Sequence, residues 1–161
     1  LSLMRKERLS EILETAERHI QAKRFRRALS FYRKALTLAR MGEWEWELAQ
    51  VRLADLHLLR GELVPAVSHL LKAHQMSSAE PRYSVLLGRT LRLLGEPERA
   101  SQHLFDACES TRDRASALLE LAHATADMGN RTLARSIVNI VERTEPLNSE
   151  LQSARMYTQD A

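Results

Sequence analysis

The chain has 161 residues, of which 44% are hydrophobic and 28% charged, with a formal net charge of +3. Those proportions are ordinary for globular protein and exclude a disordered tail, which carries fewer apolar residues and more net charge. Only five Gly and four Pro, with few β-branched residues beside Leu, Ala, Arg and Glu, disfavour an all-β fold. One cysteine, Cys108, excludes a disulfide framework or a multi-cysteine metal site within one chain. No apolar run approaches the roughly 20 residues of a membrane span, and the opening LSLMRKERL lacks the apolar region of a signal peptide. The cytoplasm or nucleus is the expected compartment.

Taken in chain order, the first helical pattern covers about 4–22. It leads into a basic turn, Lys23, Arg24, Arg26 and Arg27. Residues 1–46 hold 11 Lys and Arg against 6 Asp and Glu, so the basic excess belongs to the first third of the chain. Further helices are expected at 25–40, 44–60, 63–76, 81–94, 97–110, 115–128 and 131–144. A last one at 149–159 has Asn148 or Ser149 as its cap. Pro97 suits the first position of a helix, and Gly61, Gly95 and Gly129 suit the left-handed turn that ends one.

The helices repeat in pairs. The segments AKRFRRALSFYRKAL (22–36), RGELVPAVSHLLKAH (60–74), LGEPERASQHLFDAC (94–108) and MGNRTLARSIVNIVE (128–142) align without gaps. Each carries a turn residue, then an Ala five positions later: Ala28, Ala66, Ala100 or Ala134. A large residue follows four positions on (Tyr32, Leu70, Leu104, Val138), and a smaller one three beyond that (Ala35, Ala73, Ala107, Val141). The alanines step by 38, 34 and 34, and the 38 reflects four extra residues around Met41–Trp46. In the first helix of each pair, Ala16, Ala54, Gly88 and Ala122 are the small residues that let two axes approach closely.

With its period of 34 and this placement of small residues, the chain resembles the tetratricopeptide-repeat family over about residues 9–148. The usual early Trp is missing from every unit, and His19, His57, Leu91 and Thr125 replace the aromatic before the turn. The resemblance implies an all-α, right-handed superhelical solenoid forming a single domain over 1–161. Its units are about 9–42, 47–80, 81–114 and 115–148, with a capping helix at 149–159. It also implies that the first helix of each pair lines a concave groove. On that basis the groove carries an apolar row, Leu13, Val51, Val85 and Leu119, beside a polar row, Glu17, Asp55, Arg89 and His123. The polar row changes sign from acidic to basic, and Arg82, Arg92 and Tyr157 extend its far end. Trp44 is expected to face the groove, and Trp46 to pack in the core. The alternative for the apolar row is that it packs between helices.

Relatives that grip the acidic tails of chaperones use Lys and Asn where this chain has Leu13, Glu17, Val51 and Asp55, so such an adaptor is disfavoured. The stretch AEPRYSVLLGRTLRLLGEPERAS (79–101) is similar to the family of seventh subunits of the anaphase-promoting complex, whose arrays self-associate. That likeness implies a possible homodimer.

No phosphate loop, nucleophile elbow or paired-carboxylate motif occurs. His19 matches His57 and His69 matches His103 in the repeat, which predicts packing or surface roles. No histidine pair has the i, i+4 spacing of ligands on one helix face, and Cys108 reads as a small buried hydrophobe. The expectation is a non-catalytic scaffold with no cofactor, no metal and no membrane, binding a protein or peptide partner within a larger assembly. The alternatives are RNA binding through the basic patch Lys23, Arg24, Arg26 and Arg27, and a regulatory input domain of a larger protein. Nucleic acid is the less expected partner, because the row Glu17, Asp55, Arg89, His123 lacks the regular polar choices of a base-reading repeat.

Overall fold

The computed structural model describes residues 2–110 and 112–159. Among them are nine α-helices and no strand. They are α1 (Ser2–Gln21), α2 (Phe25–Leu38), α3 (Trp44–Leu59), α4 (Leu63–Met76), α5 (Pro81–Leu93), α6 (Pro97–Cys108), α7 (Arg114–Asp127), α8 (Arg131–Thr144) and α9 (Leu151–Thr158). Every helix expected from the periodicity is present, with ends within two residues of expectation. Contacts group the chain into two compact units, Leu1–Ser77 and Ser78–Ala161. The first holds the pairs α1–α2 and α3–α4. The second holds α5–α6 and α7–α8, with α9 packed on α7 and α8.

The same turn closes all four pairs. At Lys23, Gly61, Gly95 and Gly129 the backbone has φ of 56°, 72°, 83° and 89°. The following N–H, of Arg24, Glu62, Glu96 or Asn130, donates back to the carbonyl of His19, His57, Leu91 or Thr125. This double-bonded helix stop satisfies carbonyls that the helix end would otherwise leave open. Glycine takes a positive φ without steric cost, so three pairs use it. The first pair forms the turn with Lys23.

Inside each pair the anchor alanines Ala28, Ala66, Ala100 and Ala134 are fully buried, as are Tyr32, Leu70 and Leu104. In the first unit Leu9, Leu13, Ala16, Ala28, Leu29, Tyr32, Leu53 and Leu56 form one core. In the second, a Cβ added to Gly88 would lie 2.4 Å from Leu104 Cγ, so α5 and α6 approach each other over the bare glycine.

Most of the extra residues do not form a loop. They lengthen α3 at its start, so that, counted from the close-approach residues Ala54, Gly88 and Ala122, it begins three residues earlier than α5 and two earlier than α7. Glu45 is buried and accepts from Lys6 Nζ at 2.8 Å, while Arg5 reaches both Glu43 and the Leu38 carbonyl. Arg5 holds the Glu43 carboxyl well below the usual range. Trp46 shares its face with buried Ala49, Gln50 and Leu53, but near the start of α3 it is half-buried and not the full core residue expected. The last helix begins at Leu151. Asn148 still serves its start, accepting the Glu150 N–H at 2.9 Å one turn earlier.

Candidate functional site

In the first unit, α1 and α3 place Glu17 and Asp55 on partly exposed helix faces. Arg52, one turn before Asp55, lies between them. Its Nε donates to Glu17 Oε1 at 2.8 Å, and its Nη1 is 3.9 Å from Asp55 Oδ2. The hydroxyl of Tyr32, reaching from α2, donates to the same Glu17 oxygen. Burial and that bond raise the Tyr32 pKa above its ordinary value. Glu17 therefore has two fixed donors and a defined orientation. Leu13, Glu14, Glu17 and Arg18 line a shallow depression beside it.

The second unit carries the equivalent contact with the charges exchanged. Arg89 Nε on α5 donates to Glu120 Oε1 on α7 at 2.6 Å. Arg92 Nε lies 3.6 Å from the other Glu120 oxygen, and Arg92 Nη1 lies 3.6 Å from Asp127. The Tyr157 hydroxyl, from α9, donates to Asp127, which raises its pKa. The ring of Tyr157 packs at 4.6 Å on His123, and the Arg92 guanidinium sits 5.4 Å from its centre. His123, Arg92 and Tyr157 are thus brought together, while Arg82 is exposed with its guanidinium 5.5 Å from the Tyr83 ring centre.

Two expectations are corrected. Leu13, Val51, Val85 and Leu119 are all buried, so they serve packing and offer no open apolar row. Leu13 lies in the first unit's core, and Val85 packs on Ala107 and Ala117. The change of sign along the polar row is largely offset, because Glu17 and Arg89 each face an opposite charge. The residues that supply those charges, Arg52 and Glu120, did not emerge from the sequence reading. The signal was there: they stand two 34-residue periods apart, at one place in the register.

Elsewhere, Trp44 is 64% exposed at the start of α3. Lys23, Arg24, Arg26 and Arg27 are all exposed. The structure also pairs two histidines from different helices. The His57 and His69 rings stack at 5.5 Å; His57 Nδ1 is 3.0 Å from Glu62, and His69 Nδ1 is 2.6 Å from Gln50. Burial, helped by His57, pushes His69 down to about 4, so it is neutral near pH 7. Cys108 is half-buried beside Val85, Ala107 and Ala117, and burial pushes its thiol up to about 11, far from a reactive thiolate.

No protein-family model and no curated protein sequence matches the chain. Solved structures do match its fold. YrrB, described as a tetratricopeptide-repeat protein with an unusual peptide-binding site, is 19% identical, with a TM-score of 0.74, covering 98% of this chain and 83% of its own. A tetratricopeptide-repeat protein from Parabacteroides merdae is 12% identical, with a TM-score of 0.82, covering 93% of this chain and 58% of its own. The first tetratricopeptide-repeat domain of Spaghetti (RPAP3), solved with the HSP90 peptide SRMEEVD, is 17% identical, with a TM-score of 0.62, covering 70% of this chain and 93% of its own. The period of 34, the four identical turns and these likenesses converge on one statement: the chain has the tetratricopeptide-repeat fold.

Proposed function

We propose that this protein is a non-catalytic interaction scaffold that holds a peptide or helix of a partner protein on the first helices of its units. The observation that carries the reading is the pair of charged sites Glu17–Arg52 and Arg89–Glu120. In both units a partly exposed charged side chain is held in a fixed orientation by the next first helix. Polar groups held in place before binding lose little entropy on meeting a ligand and set its register. Exposed Trp44 supplies an aromatic contact of the kind enriched in interface hot spots.

Two matched proteins support the class of partner, one described by its peptide-binding site and one solved with a peptide. The acidic tail in the second is a poor occupant here, since Glu17 and Asp55 would repel it in the first unit. A segment with a basic residue suits that unit, and an acidic residue suits Arg82 in the second.

A displayed library of random peptides, selected on the purified protein, tests this. Selected peptides should share a pattern of charge, and Asp55→Ala, Trp44→Ala and Arg82→Ala should each weaken them at least about fivefold, near 1 kcal/mol. Arg99→Ala on α6 should leave them unchanged. Selection that yields no shared pattern, or peptides indifferent to all three changes, overturns the proposal.

A further inference from the structure

The second helix of the first pair has a composition unlike the others. From Arg18 to Gly42 the chain has eight Lys and Arg and not one Asp or Glu. Most cations elsewhere sit against a carboxylate, as Arg5, Lys6, Arg52, Arg60, Arg89, Arg92, Arg99, Arg112 and Arg155 do. By contrast Lys23, Arg24, Arg26, Arg27 and Arg33 are exposed, and among the described residues their side chains have no ionic or hydrogen-bonded partner. Lys34 is exposed as well, with its ammonium 5.0 Å from the Phe31 ring centre.

The arrangement on α2 limits what such a face can bind. Ala28, Leu29, Tyr32 and Ala35 are buried, so the apolar side of the helix is used up inside the unit. The outer positions are Arg26, Arg27, Ser30, Arg33, Lys34 and Thr37, all exposed and all polar. A protein partner would find one partly exposed ring, Phe25, at the end of the helix and no apolar cluster of the kind that gives interfaces most of their energy. A bilayer would lack an apolar face to take up. What remains is a regular line of positive charge. The pairs Arg26–Arg27 and Arg33–Lys34 lie two helical turns apart, about 10.5 Å along the axis, which matches about three phosphates of one nucleic-acid strand. The first turn of α2 contains no acid and has no side-chain cap, so its free N–H groups and positive dipole end add to the same field. Phe25 at that end is partly exposed and offers a ring on which a base can stack.

We propose that α2 and the turn before it bind the phosphate backbone of nucleic acid without reading its sequence. This surface is separate from the first-helix sites above and does not depend on them. It also reverses the weight the sequence alone gives to nucleic acid. The basic patch is an alternative in the sequence, disfavoured there by the lack of a base code along the first helices, whereas phosphate binding needs only unpaired cations in line.

Fluorescence anisotropy with a labelled 20-nucleotide oligouridine provides the test. Four phosphate contacts predict that affinity falls about 50-fold between 50 and 200 mM salt, and that a mixed-sequence strand binds within about threefold of oligouridine. Combining Arg26→Glu with Arg27→Glu should abolish binding at 50 mM salt, with the helical circular dichroism unchanged because both residues are exposed. Arg99→Gln on α6 should bind as the wild type. No binding at 50 mM salt overturns the proposal, and so does wild-type binding by the doubly reversed variant. Tighter binding to polyglutamate of equal charge, or to phosphatidylserine vesicles, would assign the surface to an acidic protein or a membrane and overturn it equally.

Discussion

The two units make the same contact with opposite polarity. In the first, an acid on the first helix meets a cation on the next, Glu17 with Arg52. In the second, the cation comes first, Arg89 with Glu120. The register is shared but the surroundings are not. The side chains of Glu17 and Arg52 are 35% and 39% exposed, so water screens both charges. Arg89 is similarly open at 42%, but Glu120 is only 8% exposed and has a second cation, Arg92, beside it. An ion pair in water contributes little, whereas a desolvated carboxylate makes its counter-charges a requirement of the fold. One repeat position can therefore carry an adjustable surface charge in one unit and a structural keystone in the other.

The sharpest way to break this contrast is to remove one charge from each pair. Glu120→Gln leaves two guanidiniums around a site built for an anion and should cost about 2–3 kcal/mol, discounted from a fully buried pair because Arg89 is open. Arg52→Gln should cost less than about 1 kcal/mol. Urea denaturation of the two variants measures both. Equal losses would mean that burial does not separate the two contacts.

A second difference lies where helices of a pair cross. The first unit has Ala54 at the close-approach position, and the second has Gly88. With Leu104 Cγ only 2.4 Å from the missing Cβ, Gly88→Ala should cost about 1–3 kcal/mol through overpacking. The loss should shrink when Leu104→Val is introduced first, since the two residues share one space. Independent, additive losses would show that Leu104 is not what excludes the methyl group.

These cases also mark what could be read without the structure. Helices, turns and anchor alanines followed from a period, because the side of a helix that a residue occupies is fixed by counting. Gly61, Gly95 and Gly129 announced their own backbone conformation. The polar contacts did not follow so simply. Counting placed Glu17 and Arg89 on a helix face, but each is completed by an opposite charge one turn upstream of the row on the neighbouring helix, Arg52 for Glu17 and Glu120 for Arg89. The apolar row failed for a related reason. Leu13, Val51, Val85 and Leu119 stand beside the polar row, and the close approach of neighbouring helices removes them from solvent. The insertion was visible as four extra residues, but not that most of them extend the start of α3, where Arg5 and Lys6 tie down Glu43 and Glu45.

The mildest contrast is in the first turn of each unit. Lys23 adopts φ of 56°, where a side chain other than glycine crowds its own backbone, while Gly95 makes the same turn in the second unit without that cost. Lys23→Gly removes the crowding but gives the unfolded chain more freedom to lose, so the net gain should be about 0.5–1 kcal/mol. Gly95→Ala should lose about 1 kcal/mol for the opposite reason. Thermal denaturation of the pair reads both signs. If Lys23→Gly fails to stabilise, the left-handed turn is not the strained point of the first pair. If it does stabilise, the natural lysine is retained against the preference of its own backbone. A cation at that position is then worth more to the protein than a relaxed turn, as a phosphate-binding surface on α2 requires.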